Sequence, residues 1–452
     1  MLVSPQAYHP SRALLSLGEE FYDAVAPASF PETVLRFRND RAAAQIGLAT
    51  LAGEKWLRHL ARFKPLPGTL PGRLAMRYHG HQFRSYSPDL GDCRGFTFAQ
   101  MRDQAGRLMD LGTKGSGQTP WSRFGDGRLT LKGGVREVLA TEMLEALNVP
   151  TSRTLSLVET GEGLDRGDEP SPTRSAVLVR LSHSHVRIGT FQRLAYFRDE
   201  ENMRRLVAYS LSELFGERSD DPVRLLELIV GCTATLASRY MAAGFVHGVL
   251  NSDNINVTGE SFDYGPWRFA PTWDPAFTAA YFDASGLYAF GRQPEAIHWN
   301  VMQLAASLRL IAESDRLIEQ LESFASRFQP ALADAVLWRM GVLPRDPERD
   351  RALARAVERA LRATKAPLDQ FFFDVFGGDL PASYGEAWQE VRGALSSYPS
   401  RKGRDHPYWS GQPCSMLIDE VEAIWAPIAA ADDWSSFCGK VAAVRAMGDA
   451  LS

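Results

Sequence analysis

His247-Gly248-Val249-Leu250-Asn251-Ser252-Asp253-Asn254, with Asp263-Tyr264-Gly265 following nine positions after Asn254, says more about architecture than any other stretch of this chain. It comes after a long apolar run that Pro222 opens and Gly244 closes, which predicts a helix over 222–243. The polar run that follows predicts a loop over 245–254. A short strand over 255–257, a turn at Gly259 and a β hairpin returning through Phe262-Asp263 come next. An Asn and an Asp on neighbouring turns of such a hairpin can share a hard cation, because Mg2+ takes oxygen ligands and needs few from protein. Asn and Asp are also common turn formers, so the pair alone reads first as turn chemistry.

The surroundings change that balance. Between residues 90 and 135, short apolar runs sit between glycines, the texture of closely spaced strands with tight turns. Helical spacing of apolar residues predicts a helix from Val135 to Leu147, ending at Asn148 and Pro150. Strand-like runs follow over 154–158 and 176–181, and from Ile297 onward the chain reads as helical. The first 75 residues mix helical patches with Pro-rich connectors. An α+β protein with a small β-rich lobe followed by a larger helical lobe fits this order. Its expected parts are an N-terminal extension (1–75), an N-lobe-like nucleotide-binding part (76–190), a C-lobe-like part with catalytic and metal loops (191–330) and a helical C-terminal region (331–452).

Lys114 closes one predicted strand and Glu137 lies on the helix after it. In protein kinases a strand lysine grips ATP phosphates and pairs with a helix glutamate, while a loop Asn and a D-F-G aspartate hold Mg2+. Lys114, Glu137, Asn254 and Asp263 occur in that order on the corresponding elements. Singly, each is an ordinary surface residue; four in order are far more specific. One departure is decisive for chemistry. The kinase base lies five positions before the metal-binding Asn, and here that position is Val249, which accepts no proton; Asp253 is the nearest replacement.

Gly91-Asp92-Cys93-Arg94-Gly95 and Gly125-Asp126-Gly127-Arg128 both contain G-D-x-R. Glycines let backbone N–H groups approach phosphates and arginines present forked donors to them; alone, such a segment is a hairpin turn with a surface arginine. No GxGxxG and no GxxxxGK[ST] occurs, which disfavours Rossmann and Walker nucleotide sites. Arg180 ends a strand and Arg187 follows closely. His183 and His185 between them form an H-x-H that lacks a third ligand, weak grounds for a metal.

Composition excludes several classes. Of 452 residues, 45% are hydrophobic and 23% charged, which is globular. Fifty basic against 54 acidic residues leave −4, so electrostatic binding to nucleic acid or an anionic membrane is not expected. Four scattered cysteines (Cys93, Cys232, Cys414, Cys438) form neither a disulfide framework nor a CxxC zinc site. The first thirty residues show no signal-peptide pattern, and the apolar stretch 225–246 is broken by Glu227 and Arg239, so a buried helix and a cytoplasmic location are expected.

Together with Gly80-His81-Gln82-Phe83, Lys114 to Arg128, Arg136-Glu137 and Phe262 to Pro266, these segments resemble the selenoprotein O family, the YdiU-like pseudokinases, over roughly residues 78–267. The resemblance implies a protein-kinase-like two-lobed fold with a helical C-terminal extension. It also implies transfer of AMP from ATP to Ser, Thr or Tyr hydroxyls of proteins, with ATP reversed relative to kinases. It assigns Gly91, Cys93, Arg94, Lys114, Asp126, Gly127, Arg180 and Arg187 to the nucleotide. Glu137 would pair with Lys114, Asn254 and Asp263 would hold Mg2+ or Mn2+, and Asp253 would accept the proton. Protein substrates are the expected partners, and a monomer is expected.

Three positions depart from the family pattern. Cys93 replaces a usual glycine, Arg84 follows Phe83 where glycine is common, and the last cysteine, Cys438, stands 14 positions before Ser452, so a terminal-thiol redox switch is not expected. Two other readings remain, a kinase-type phosphotransferase with Asp253 as base and a non-catalytic nucleotide-binding scaffold. Val249 weighs against the first, and the retained Asn254 and Asp263 weigh against the second.

Overall fold

The computed structural model describes residues 8–167 and 169–452. Its first part carries strands β1 (His9–Ser11), β2 (Tyr22–Val25), β3 (Val34–Arg38), β4 (Arg73–Met76), β5 (Gly80–Gln82), β6 (Ser85–Ser87), β7 (Thr97–Arg102), β8 (Leu108–Lys114), β9 (Leu129–Thr130), β10 (Arg153–Leu164) and β11 (Thr173–Ser182). Helices α1 (Asp40–Gln45), α2 (Glu54–Leu60) and α3 (Leu131–Ala146) lie among them. The rest is helical: α4 (Ile188–Phe197), α5 (Glu200–Tyr209), α6 (Pro222–Ala243), α7 (Gln293–Leu308), α8 (Ser314–Arg339), α9 (Pro347–Thr364), α10 (Leu368–Val375), α11 (Gln389–Leu395), α12 (Ile418–Ala431) and α13 (Ser435–Leu451). Two short strands, β12 (Phe245–Val246) and β13 (Arg268–Phe269), interrupt it. The order is that of an α+β protein with a β-rich lobe followed by a helical one.

The main sheet runs β2-β4-β7-β8-β11-β10-β3, with β1 on β7 and β9 on β11, and every pairing is antiparallel. The stretch set apart in sequence as an N-terminal extension supplies β1, β2 and β3 to this sheet. Because successive side chains on a strand face opposite ways, Val177, Val179 and Leu181 of β11 enter an outer core with Trp56 and Leu60. Ala176 and Leu178 enter the larger core shared with α3 and α6. Arg180 has the parity of Leu178, and Lys114 that of Leu108, so both point to the face the helical lobe covers.

Helix α3 starts four residues earlier than the periodicity predicts. Thr130 Oγ1 accepts from the Gly133 backbone N–H and caps it. Gly134, a poor residue type for a helix interior, is what seats this one: a Cβ there would lie 2.4 Å from Leu157 Cδ1, so the helix packs onto β10 too closely for any side chain. The far end of the chain braces the same helix, Arg445 of α13 pairing with Glu142 of α3 at 2.7 Å. Helix α6 spans the predicted residues, capped by Asp221 and stopped at Gly244. It is the one helix among the described residues long and apolar enough to cross a membrane, and it is largely buried inside the protein.

The hairpin expected over 255–265 does not form. Asn256 instead makes a single bridge to Arg187 and Ser261 one to Thr151, and β12 pairs with β13 across the whole loop. Asn256 is drawn out of a ladder by its own side chain, whose Nδ2 donates to Ser184 O and whose Oδ1 accepts from Thr258. The loop between β12 and β13 is therefore tied to the β-rich lobe, which places its acids against that lobe's cations.

Candidate active site

Lys114, at the end of β8, buries its ammonium 2.6 Å from Glu137 Oε2 and 2.9 Å from Asp263 Oδ1. Lys114 and Glu137 are 3% and 1% exposed, whereas Asp263 keeps 30% of its side chain open to a cleft. Removing one partner of a buried pair strands the other, so breaking it destabilises by about 3–5 kcal/mol. Lys114→Ala is accordingly expected to lower the melting temperature by several degrees in a thermal scan, as well as weakening nucleotide binding. An unchanged melt and unchanged ATP affinity would show the pair to be unimportant.

Arg180 sits opposite Gly112 in the β11–β8 register, one pleat from Lys114. Its Nη2 is 3.7 Å from Asp263 Oδ1, and its buried Nε and Nη1 have no hydrogen-bond partner among the described residues. Unmet donors on a buried guanidinium are expensive, and an anion is what would satisfy them. Arg187, at the start of α4, stacks over Tyr78 and Phe262 at 4.1 and 4.9 Å. It bonds Asp92 Oδ1 at 3.1 Å and the Asp253 carbonyl at 3.3 Å. These groups open on a cleft of about 1020 Å³ whose lining carries eight basic and four acidic side chains, a surplus suited to a polyphosphate.

Both G-D-x-R segments line this cleft. Asp92 ties its segment down by accepting from the Met76 N–H while it orients Arg187. Gly127 has φ +70°, and a Cβ there would lie 2.2 Å from the Gly117 carbonyl carbon, so only glycine lets this loop close on the segment after Lys114. Asp126 is held by Arg166 at 2.9 Å at the cleft's edge; burial opposes its ionisation, yet the Arg166 hydrogen bond and the Arg128 N–H leave its carboxyl below the ordinary range. Cys93 is accommodated: its carbonyl accepts from Ser122 Oγ, and burial pushes its thiol pKa up, which keeps it neutral.

Asp253 and Asn254 lie in a helical turn, Ser252–Asn254. Burial first, and the nearby Asp263 charge, push the Asp253 carboxyl up to about 6 against the pull of Arg187; its Oδ1 is buried with no hydrogen-bond partner among the described residues. Asp263 has φ +63° and goes the other way. Burial opposes its ionisation, yet Lys114, Arg180 and Arg94 hold it well below the usual carboxylate range. Two carboxyls with opposed tendencies suit a proton acceptor and a permanent anion.

Asn254 Nδ2 donates to Val249 O at 3.1 Å, leaving its Oδ1 for another partner, and the Asp263 carboxylate is ionised and partly open to the cleft. An amide oxygen and an ionised carboxylate oxygen are hard donors, which suit Mg2+ or Mn2+ better than a softer metal. Among the described residues no cluster of three His, Cys, Asp or Glu side chains offers a metal cage. His183 turns both ring nitrogens to backbone carbonyls (Leu108 and Leu214), and His185 faces Asp110, so the H-x-H is structural.

Cys93, Arg94, Lys114, Asp126, Gly127, Arg180, Arg187 and Asp263 thus share one cleft. Glu137 stands behind Lys114, Gly91 packs under Trp121, and Asp253 and Asn254 lie off the cleft wall, Asp253 joined to it through Arg187. Two residues that sequence reasoning left out matter here. Asp92 had a signal, the second position of G-D-x-R. Asn251 had only its place in the polar loop; its Oδ1 accepts from the Phe83 N–H and from Tyr288 OH.

A protein-family model described as protein adenylyltransferase SelO matches residues 6–397. The protein nucleotidyltransferase YdiU of Synechocystis is 41% identical over 95% of this chain and 96% of its own length. That of Gloeobacter violaceus is 42% identical over 97% and 95%. Among solved structures, ROP2 from Toxoplasma gondii, titled a virulence factor with a protein-kinase fold and no enzymatic activity, covers 75% of this chain and 89% of its own at 10% identity and a TM-score of 0.27. With the Lys114–Glu137–Asp263 geometry in place and the family match running through almost all of its length, the chain belongs to the SelO family.

Proposed function

We propose that this protein is an adenylyltransferase that moves AMP from ATP to Ser, Thr or Tyr hydroxyls of other proteins and releases pyrophosphate. The observation that carries the reading is the cation surplus deep in the cleft, above all Arg180 with two buried N–H groups unmet beside Lys114. An inward-pointing triphosphate tail would satisfy those groups and leave the α-phosphate facing the acceptor. Lys114, Arg94, Arg180 and Arg187 would grip the phosphates, with Glu137 and Asp92 fixing the rotamers of Lys114 and Arg187. Asn254 and Asp263 would hold Mg2+ or Mn2+, which when bound offsets charge on the departing pyrophosphate. Asp253, made more basic by burial yet ionised at neutral pH, would take the hydroxyl proton as the acceptor oxygen bonds to the α-phosphorus and the bond to the β-phosphate oxygen breaks. A cytoplasmic monomer fits this reading.

The test is incubation of the protein and acceptor proteins with ATP labelled at the α- or the γ-phosphate. Label on protein from the α position alone is expected. Label from γ would point to a phosphotransferase, and label from neither would point to a scaffold.

A further inference from the structure

The Gly80-His81-Gln82-Phe83 motif has no place in the nucleotide cleft, yet its geometry is unusual. It forms the hairpin of β5 and β6, whose tip residues Phe83 and Arg84 both have positive φ, 49° and 64°. Tight hairpin turns of this form favour Asn-Gly or Gly-Gly, because side chains there are strained. Here a phenylalanine is held in that conformation and left 38% exposed.

The hairpin is anchored on the catalytic loop, with the His81 N–H donating to Ser252 Oγ at 2.7 Å and the Phe83 N–H to Asn251 Oδ1 at 3.0 Å. A second loop converges on the same atom, Tyr288 OH donating to Asn251 Oδ1 at 2.7 Å. That loop is braced from within by buried Asp283, which accepts from the Leu287 and Tyr288 N–H groups at 2.8 Å each. The brace holds Tyr281 and Phe282 outward, 87% and 48% exposed. The Phe83 ring lies 5.8 Å from that of Phe282, and the Phe282 ring 5.1 Å from that of Tyr281. Three exposed aromatic rings therefore hang from Asn251, two residues before Asp253, on elements that do not line the nucleotide cleft.

We infer that Phe83, Tyr281 and Phe282 form the docking surface for the acceptor protein, and that it selects acceptor hydroxyls with a large apolar side chain within a few residues. The inference rests on the adenylyl-transfer reading: an acceptor hydroxyl must reach Asp253, so the acceptor's neighbouring residues must pass over what adjoins that loop. What adjoins it is aromatic, and a rigid aromatic surface captures apolar side chains at small entropic cost.

The test uses the full chain, ATP labelled at the α-phosphate and synthetic Gly/Lys peptides with one Ser. Phe is placed at each position from three before to three after the Ser, and each peptide is compared with its Gln counterpart. Burying one Phe side chain is worth roughly tenfold or more in affinity. The protein is expected to label at least one Phe peptide about tenfold more efficiently than its Gln counterpart, an advantage read in peptide KM. The Tyr281→Ala/Phe282→Ala variant, altered only at exposed positions, is expected to lose that preference while keeping ATP affinity and Gln-peptide labelling. A preference that is absent, or that survives in the variant, overturns the inference. So does light scattering that shows a dimer broken by the two substitutions, since a second copy would then be the occupant. Failure to label any peptide while ATP still binds strikes instead at the transfer reading, and the inference falls with it.

Discussion

Asp263→Ala is expected to abolish AMP transfer while leaving the cleft able to bind nucleotide. The Asp263 carboxylate serves two neighbours at once in this structure. Its Oδ1 balances Lys114 at 2.9 Å and Arg180 at 3.7 Å, and in the proposed reaction the same carboxylate would hold a divalent cation with Asn254. Loss of a metal contact that stabilises a leaving group is worth several kcal/mol, roughly a thousandfold in rate. Loss of the same charge frees Lys114 and Arg180 for phosphate, so ATP binding without divalent cation should not weaken. The check is single-turnover transfer from α-labelled ATP beside an ATP titration in chelator. Undiminished transfer would discard the ligand assignment. Equal loss of binding and transfer would place Asp263 in ground-state recognition instead.

Asp253→Asn carries the second large effect, and it separates chemistry from stability. An amide of the same shape cannot accept the proton, so kcat is expected to fall by about 10²–10⁴-fold with little change in the KM for ATP. Stability should move the other way. The folded Asp253 carboxyl titrates at about 6 against 3.8 for the ordinary group. A raised folded pKa means that wild-type stability present below the unfolded value is lost as pH rises through the folded one. The difference corresponds to an order of 3 kcal/mol. In the metal-free protein, denaturant melts should therefore show wild type and variant alike near pH 4 and the variant more stable above pH 6. A variant less stable at every pH would mean that Asp253 is a structural anchor.

The parts of this architecture that sequence makes legible are those set by local rules. Pro222, the apolar spacing after it and Gly244 define α6 to the residue, because helix initiation and termination depend on near neighbours. Lys114 and Glu137 are recognisable through order and element type, and they meet at 2.6 Å. What escapes sequence reasoning depends on distant partners. The helix α3 begins early because Gly134 must approach Leu157, a contact 23 residues away. The expected hairpin fails because Asn256 is claimed by Ser184, 72 residues upstream. Strands β1, β2 and β3 are short, and only their long-range partners in the sheet make them strands. Asn251 looks like a turn residue until two remote elements are seen to share its carbonyl oxygen.

The most direct measurement is a crystal structure of the protein with a non-hydrolysable ATP analogue and Mn2+, the ion located by its anomalous signal. The account predicts the phosphates against Lys114, Arg94, Arg180 and Arg187, the ion held by the Asn254 and Asp263 side chains, and the α-phosphorus turned toward Asp253. An empty cleft, an ion touching neither of those side chains, or a γ-phosphate turned toward Asp253 would contradict it.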